Sequence, residues 1–260
     1  MAQPGTPTTK QERQDRLATL IFSRGTMRVE ELQDEMGVSA MTLYRDLAEL
    51  ESRQVIIRAR GEVSAAASSL SETSFVFRLG QEASSKHALV PLAAPLVERG
   101  DSVLVDDSTT AHFILESVLD KGSLTVVTNC TGQADLVVQH SDAELIMVGG
   151  RYRRALQAFY GPSAMAALGG LRVDVAFLGA AAIQDGMVYH PYEDVAAFKR
   201  FAATRATTSV LVVSASKFDR TALYEVGRLV DFDVIITDMD PHEPQLKAAA
   251  EAGVRVISSH

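Results

Sequence analysis

The stretch MRVEELQDEMGVSAMTLYRDLAEL, residues 27–50, has the pattern of two short helices joined by a glycine turn. Its apolar residues repeat at helical spacing in both halves, at Val29, Leu32, Met36, Ala40, Leu43, Leu47 and Leu50. Gly37 supplies the turn, and Ser39 stands where a hydroxyl group caps the start of the second helix. The pattern predicts a helix-turn-helix, whose second helix enters the major groove of DNA.

The second helix has an outer face that its apolar stripe does not use. The DNA-binding residues predicted from this helix are Ser39, Met41, Thr42, Tyr44 and Arg45. They lie near its N-terminal end, from which a recognition helix contacts base edges and phosphates. An ordinary helical hairpin with a solvated Arg45 has the same spacing, so the residues that follow are needed to choose between the two.

Residues 51–61 change from a helical pattern to a short β-branched run that contains Arg58 and Arg60. This change predicts a wing, a β-hairpin beside the recognition helix, with both arginines along the DNA phosphates. A surface strand with two solvated arginines is the alternative. An amphipathic segment around Leu17 predicts an additional first helix. A winged helix-turn-helix domain is therefore predicted for residues 9–62.

The net charge of the chain is −8 and its pI is about 5.3, which is unusual for a protein that binds nucleic acid. This charge is divided unevenly. Residues 1–62 contain nine basic and ten acidic side chains, so nearly all of the negative charge belongs to the larger remainder. Because a nearly neutral domain binds a single half-site weakly, we expect a dimer or tetramer that places at least two such domains on one operator.

The remainder of the chain has the pattern of a linker followed by one α/β domain. Residues 63–74 are small and polar, which is typical of a linker, and the larger domain is predicted for residues 75–260. A short strand is expected at residues 75–79, and a helix that its two prolines kink or split at residues 82–99. Further strands are expected at residues 102–106, 124–128, 144–148, 173–179, 209–214, 233–237 and 253–258. Helices are expected to start near Thr109, Thr131, Pro162, Pro191 and Glu243. This alternation predicts a doubly wound sheet.

Polar residues follow several of these strands, at the edge of the sheet where doubly wound folds bind ligands. Residues 106–110 lead directly into a helix N-terminus, which favours anions, although a plain helix cap is the alternative. Glycines after another strand allow close backbone approach, and nearby basic residues supply charge for a phosphate or carboxylate. The predicted effector-binding residues are Asp106, Ser108, Thr109, Thr110, Thr128, Asn129, Gly149, Gly150, Arg154 and Lys217.

The composition also limits the class of protein. The single cysteine, Cys130, cannot form an internal disulfide, and no Cys/His spacing of zinc-ligand type occurs, so neither a metal nor a cofactor is expected. No apolar run is long enough to span a bilayer, and no basic-then-apolar signal segment stands at the N-terminus. We therefore expect a cytoplasmic protein without membrane contact.

In both halves the chain resembles the DeoR family of bacterial transcriptional regulators. The resemblance rests on residues 38–47, 58–61, 106–110, 127–129, 149–150, 174–180 and 216–218 and on Glu193 with Lys199. It implies that the C-terminal domain is similar to ribose-5-phosphate isomerase-like sugar-phosphate enzymes and senses a phosphorylated sugar or polyol, and it adds Glu193 to the effector-binding residues. The implied function is repression of a sugar or polyol catabolic operon, with double-stranded operator DNA and the effector as partners.

Four residues depart from the usual pattern of that family. Tyr44 stands in place of an Arg, Ser108 and Ala182 in place of Gly, and Ser214 in place of Asp. Ser108 adopts a positive φ less readily than glycine, and Tyr44 offers an aromatic face and a hydroxyl where a guanidinium would contact guanine. The preferred effector and operator are therefore left open.

The competing hypothesis is a sugar-phosphate isomerase-like enzyme with an appended DNA-binding domain. Such an enzyme needs a carboxylate base for proton transfer, and Asp106, Asp185 and Glu193 are the available acids. Asp185 lies in a predicted turn, and neither it nor Glu193 has a recognisable partner in the sequence that would raise its pKa. Because a catalytic domain has no need of a winged helix-turn-helix, a regulator without catalytic residues is the favoured prediction.

Overall fold

The computed structural model describes residues 10–24, 26–52, 55–65 and 75–260 of the chain. They fall into two compact units, which divide between Gln81 and Glu82. The elements of the first unit are α1 (Lys10–Arg24), β1 (Met27–Arg28), α2 (Val29–Met36), α3 (Ala40–Ser52), β2 (Ile56–Ala59), β3 (Glu62–Ala65) and α4 (Phe75–Gly80).

The first unit is a winged helix-turn-helix. Its core joins the apolar faces of α1, α2 and α3, with Leu17, Leu32 and Leu47 fully buried. Gly37 ends α2 in the left-handed conformation, with φ at 63°, and this conformation is accessible to glycine at little cost. The antiparallel strands β2 and β3 form the wing, and β1 pairs with the other side of β3.

Two details of the first unit differ from the expected boundaries. The wing continues through β3 to Ala65, so the first three residues of the expected linker are strand, whereas residues 66–74 lie outside the described residues. The prediction of a strand at residues 75–79 is wrong, because these residues belong to the helix α4. Phe77 of this helix packs into the core of the first unit. A five-residue apolar run is too short for its periodicity to distinguish a helix from a strand.

The second unit is built on a seven-stranded sheet with helices between its strands. Its elements are α5 (Ala83–Ala93), β4 (Ser102–Val105), α6 (Thr109–Val118), β5 (Thr125–Thr128), α7 (Thr131–His140), β6 (Glu144–Met147), β7 (Arg151–Arg153), β8 (Ala158–Tyr160), α8 (Pro162–Gly169), β9 (Val173–Leu178), β10 (Ala182–Gln184), β11 (Met187–His190), α9 (Glu193–Thr204), β12 (Ala206–Val212), β13 (Tyr224–Arg228), β14 (Val234–Thr237), α10 (Pro244–Glu251) and β15 (Arg255–Ser258).

The large sheet confirms the predicted doubly wound architecture. Its order is β15-β14-β12-β9-β4-β5-β6, and all neighbouring strands are parallel. These are the seven strands expected from residue 102 onward. The chain runs outward from β4 through β5 to β6 and then returns to the other side of β4 with β9. The crevice between the carboxyl ends of β4 and β9 is therefore the topological switch point, where such sheets bind ligands.

Smaller elements complete the second unit. The helix α5 ends at Ala93 and is followed by a 3-10 turn that contains Pro95, so the split expected from the prolines is present. The hairpin β7-β8 and the three-stranded sheet β10-β11-β13 were not predicted. Asp185 lies in the turn between β10 and β11, as its sequence context indicated. In the described part of the chain, no helix has the length and apolar character needed to cross a membrane.

Candidate functional site

The outer face of α3 exposes the residues predicted to contact DNA. Met41 is 81% exposed and Tyr44 is 51% exposed, and Arg45 beside them is exposed as well. The apolar residues of the opposite face, such as Leu43 and Leu47, are buried in the core. The helical pattern of residues 40–50 thus separates a packing face from a solvent face, as expected for a recognition helix.

Ser39 and Thr42 hold the beginning of α3. The Ser39 hydroxyl accepts a hydrogen bond from the backbone N–H of Thr42 at 3.3 Å, which is the cap predicted from the sequence. The two side-chain hydroxyls also share a hydrogen bond of 2.9 Å. Both hydroxyls therefore serve the helix N-terminus, and Met41, Tyr44 and Arg45 project beyond them.

The acidic residues of α3 are all paired within the first unit. Asp46 is almost fully buried and accepts hydrogen bonds from Arg13 and Gln14. Glu49 lies 2.6 Å from the ammonium of Lys10, and Glu51 lies 2.5 Å from the guanidinium of Arg58. The first turn of α3 contains no acid. The negative charges of this helix are thus partly balanced, which reduces their repulsion of DNA phosphates.

The two arginines of the wing have different surroundings. Arg58 is half-buried in its ion pair with Glu51, and its hydrogen bonds lower the pKa of that carboxyl group. Arg60 is exposed at the tip of the hairpin, where it and Gly61 both have positive φ values, 53° and 81°. The sequence assigned the same role to both arginines. In the structure, Arg60 is exposed to solvent, whereas Arg58 forms an ion pair with Glu51 near the C-terminal end of α3.

In the second unit, two carboxylates and one ammonium group meet at the switch point. Lys199 Nζ from α9 lies 2.5 Å from Asp106 Oδ2 and 3.0 Å from Asp107 Oδ1. All three side chains are buried. Asp106 also accepts hydrogen bonds from the backbone N–H groups of Ser108 at 2.8 Å and Gly179 at 3.0 Å. Asp106 therefore ties the loop after β4 to the loop after β9.

Burial raises the pKa of Asp106 above its ordinary value, against the opposing attraction of Lys199. Its carboxylate already has Lys199 and two backbone donors as partners. A direct contact between Asp106 and an effector, as expected from the sequence, would compete with these bonds. A proton-abstracting role would require the same bonds to break, because the group is wholly enclosed by protein.

The start of α6 is packed tightly against the loop after β9. Ser108 caps the helix by accepting a hydrogen bond from the N–H of Ala111 at 3.3 Å. A Cβ atom placed on Gly179 would lie 2.5 Å from Ser108 Oγ, so this residue must lack a side chain while Ser108 is present. Thr109 and Thr110 of the first turn are buried as well. The predicted anion-binding loop is thus enclosed rather than exposed.

A glutamine connects this loop to α7. Gln133 donates from Nε2 to the carbonyl oxygens of Asp106 and Ser108, both at 3.1 Å. Its Oε1 therefore remains as the acceptor for His112 Nδ1, which lies 2.7 Å away and must carry the proton. Burial lowers the pKa of His112, although the Gln133 bond acts in the opposite direction.

Two polar atoms near the ends of β5 and β8 are buried without a hydrogen bond of ordinary geometry among the described residues. They are Asn129 Oδ1 and the Tyr160 hydroxyl oxygen. Asn129 uses its Nδ2 to donate to the Phe159 carbonyl at 2.9 Å. Burial, the charges of Asp107 and Asp106, and a side-chain hydrogen-bond interaction with Asp107 raise the pKa of Tyr160 well above its ordinary value. Buried polar atoms with unused hydrogen-bonding capacity are costly, which makes these two atoms candidate contacts for a polar ligand.

The remaining predicted effector residues occupy varied positions at this end of the sheet. Thr128 donates to the Val105 carbonyl at 2.7 Å and so joins β5 to β4. Gly149 and Gly150 are exposed, and a Cβ on Gly150 would lie 2.6 Å from the Tyr160 carbonyl oxygen, so glycine permits this close approach. Arg154 and Glu193 are exposed at the surface.

Lys217 follows β12 and lies near the carboxylate of Glu82. Burial acts to raise the pKa of Glu82, but hydrogen bonds from Ser216 and Ser214 and the charge of Lys217 lower it overall. The two serine hydroxyls donate to Glu82 Oε2 at 2.8 Å and 3.1 Å. Ser214, one of the departures from the family pattern, thus contributes to the site that holds Glu82.

Sequence reasoning missed the roles of Asp107, Tyr160, Gln133, Arg153 and Asp194, and it noted Lys199 only in a motif. Arg153 rather than Arg154 makes a bidentate ion pair, with its Nε and Nη2 within 3.1 Å of Asp194, and it lies over the ring of Tyr192. A usable signal existed for Lys199, because it lies on the apolar face of α9 between buried Val195 and Ala202. A cation on such a face indicates a buried partner.

Comparison with known proteins identifies the family. A family model described as "DeoR-like helix-turn-helix domain" matches residues 13–69, and a second, described as "DeoR C terminal sensor domain", matches residues 81–239. The chain therefore belongs to the DeoR family, and it is a DNA-binding transcriptional regulator. The family consists of regulators, so the chain is not an enzyme and the isomerase alternative is set aside.

Relatives of known name agree with this assignment along most of the chain. The uncharacterized HTH-type transcriptional regulator YgbI of Escherichia coli (strain K12) is 32% identical over 87% of this chain and 89% of its own length. The lactose phosphotransferase system repressor of Staphylococcus aureus (strain NCTC 8325) is 27% identical over 90% of this chain and 94% of its own. Among solved structures, ribose 5-phosphate isomerase A of Methanocaldococcus jannaschii aligns with a TM-score of 0.38 and 16% identity over 51% of this chain and 53% of that one.

Proposed function

We propose that this regulator is a repressor of a sugar or polyol catabolic operon and that a phosphorylated sugar or polyol controls it. The lactose phosphotransferase system repressor among its relatives supports repression as the sign of the response and a link to sugar metabolism. The single observation that carries the effector proposal is the pair of buried polar atoms, Tyr160 OH and Asn129 Oδ1, beside the switch point of the sheet.

The chemistry of this region fits a ligand with both hydroxyl groups and a phosphate. Hydroxyl groups can donate to Asn129 Oδ1 and bond with the Tyr160 hydroxyl. The N-terminus of α6 has no acid in its first turn and carries Thr109 and Thr110, which favours an anion. Asp106, Asp107 and Lys199 together carry one net negative charge, so the phosphate belongs at the helix N-terminus and the hydroxyl end beside the carboxylates.

DNA binding in this proposal uses Met41, Tyr44 and Arg45 at base edges and Arg60 at the backbone. Ser39 and Thr42 position the helix N-terminus, and Arg58 contributes through Glu51. Self-association as a dimer or tetramer supplies paired recognition helices, because one nearly neutral unit has little affinity of its own. The effector then changes the spacing of these units, and the protein acts in the cytoplasm. A tenfold difference in effector affinity between the two arrangements corresponds to about 1.4 kcal/mol of coupling.

A thermal-shift screen of the full chain tests the effector proposal. The panel contains pentose, hexose and polyol phosphates, their unphosphorylated counterparts and inorganic phosphate. A bound compound at about 100 times its Kd stabilises the folded state by about 2.7 kcal/mol. We expect a phosphorylated compound to raise the melting temperature more than its unphosphorylated counterpart does. If none of the phosphorylated compounds raises it, the proposed effector class is wrong.

The variant Tyr160→Phe separates a ligand contact from a structural role. The Tyr160 hydroxyl makes no hydrogen bond of ordinary geometry among the described residues, so its removal leaves the free protein about equally stable or more stable, whereas it removes a bond to the effector. We expect an unchanged or higher melting temperature without effector and a shift at least several-fold smaller at a fixed effector concentration. Tyr152→Phe, at an exposed position of β7, is the matched control and keeps the full shift. A full shift in Tyr160→Phe would remove this residue from the site.

A further inference from the structure

The recognition helix carries an exposed apolar pair that the fold of the first unit does not use. Met41 and Tyr44 are three positions apart, so they lie on one side of α3, and both are among the most exposed large apolar side chains of the described residues. We propose that this pair reads the 5-methyl groups of thymines in the operator major groove and so determines which sequence is bound. This inference rests on the proposed role of α3 in DNA recognition.

The surroundings of the pair favour DNA as its partner. Arg45 is exposed next to Tyr44, and the first turn of α3 contains no acid. The acidic residues of the helix, Asp46, Glu49 and Glu51, each form an ion pair with a basic side chain from outside α3. The exposed face thus combines an apolar centre with positive charge and a helix N-terminus, and a polyanion complements this combination.

The polar groups of the same turn narrow the choice of base contact. The hydroxyls of Ser39 and Thr42 bond to each other, and Ser39 also caps the helix, so neither is the principal reader of a base edge. Met41 and the ring of Tyr44 present carbon and sulfur atoms instead. In the major groove, the 5-methyl group of thymine is the apolar group that base pairs display, and it accepts apolar contacts. Guanine remains available to Arg45.

Replacing thymine with uracil tests this contact, because it removes only the methyl group. The full chain first selects its preferred duplex from a randomised DNA library. Each thymine of that duplex is then replaced with uracil in turn, and Kd is measured for the wild type, Met41→Ala and Tyr44→Ala. Loss of one buried methyl lowers affinity about fourfold. We expect such a loss at one or two thymines of each half-site in the wild type and its disappearance in Met41→Ala or Tyr44→Ala.

Controls distinguish the contact from general effects on binding or folding. Arg60→Ala weakens binding to all duplexes but keeps the uracil penalties, because it acts on the backbone. Both α3 variants keep the wild-type melting temperature, since the replaced side chains are exposed. Equal binding of uracil and thymine duplexes by the wild type, or penalties that persist in both α3 variants, would overturn the inference.

The failure of the proposed function has a different signature. If the library yields no preferred sequence, DNA recognition by α3 fails and this inference fails with it. If a sequence is selected but Met41→Ala and Tyr44→Ala change the oligomeric state instead of the uracil penalties, the apolar pair is a contact between protein chains. Size-exclusion chromatography of the wild type, Met41→Ala and Tyr44→Ala measures the oligomeric state and so detects that outcome.

Discussion

The candidate functional groups on the outer face of α3 are exposed to solvent, whereas those at the switch point of the second unit are buried. On α3 the exposed side chains are Met41, Tyr44 and Arg45, and the opposite face of this helix packs into the core. Asp106, Thr109 and Lys199 are enclosed, and Lys199 and Asp106 are paired with each other. In the proposed function, the face that contacts DNA is thus already exposed, whereas an effector bound at the switch point would have to displace or separate groups that now contact one another.

This difference suggests where the two ligands can act. DNA can meet α3 without rearranging the unit that carries it, so its affinity depends on contacts and on the number of units bound. An effector at the switch point can favour one arrangement of the second unit over another, because the enclosed groups must move to receive it. Only such a differential affinity shifts a conformational equilibrium.

The largest effect is expected from breaking the enclosed ion cluster. Lys199→Met leaves Asp106 and Asp107 buried without their ammonium partner, which destabilises a protein by about 3–5 kcal/mol. Chemical denaturation of the full chain, followed by circular dichroism, measures the loss. Lys247→Met is the control, because Lys247 is exposed and lies 3.9 Å from Glu251, so it should stay within about 0.5 kcal/mol of the wild type. If both variants lost a similar amount of unfolding free energy, the ion pairs of Lys199 with Asp106 and Asp107 would not be what stabilises the switch point.

A medium effect is expected from the close approach of the two switch-point loops. Gly179→Ala places a Cβ within 2.6 Å of Ser108 Cβ and should destabilise the second unit by about 1–3 kcal/mol. Ser108→Gly removes both clashing atoms and weakens the α6 cap by only a few tenths of a kcal/mol. The double variant should therefore recover most of the stability in a denaturant titration. Additive losses would show that the loops can move apart freely.

The smallest effect concerns pH and His112. Its pKa is lowered in the folded state, so the stability that its neutral form contributes is present above about 6.5, the ordinary value. That contribution is lost as pH falls through the lowered folded-state pKa. His112→Gln cannot titrate, so the melting temperature of the wild type should fall more steeply than that of the variant between about pH 7 and pH 5. Parallel curves for the two proteins would contradict the assignment.

Local patterns were sufficient for much of the fold. The spacing of Leu32, Gly37 and Leu47 predicted the helix-turn-helix, and the alternation beyond residue 100 predicted the seven strands of the large sheet. The hairpin β7-β8 escaped prediction because its strands have three residues each, too few to establish a period. The helix α4 was mistaken for a strand for the same reason.

The candidate site was predicted less completely than the fold. Residues that follow strands, such as Thr109 and Asn129, could be placed at the carboxyl edge because strand direction alone puts them there. Tyr160 and Gln133 reach the same edge from a hairpin and a helix, and no short-range pattern marks them. Whether a predicted polar residue is exposed or enclosed was also beyond the sequence, since it depends on what the chain packs over it.

The sequence by itself determined the two kinds of unit, the faces of α3 and the residues at the strand ends, because each follows from spacing within a few positions. The tertiary structure alone decided that Lys199 meets Asp106, 93 residues away, that Arg58 is held by Glu51 while Arg60 is exposed, and that the Tyr160 hydroxyl is buried. Such meetings depend on strand order and packing, which bring together side chains that no local period connects.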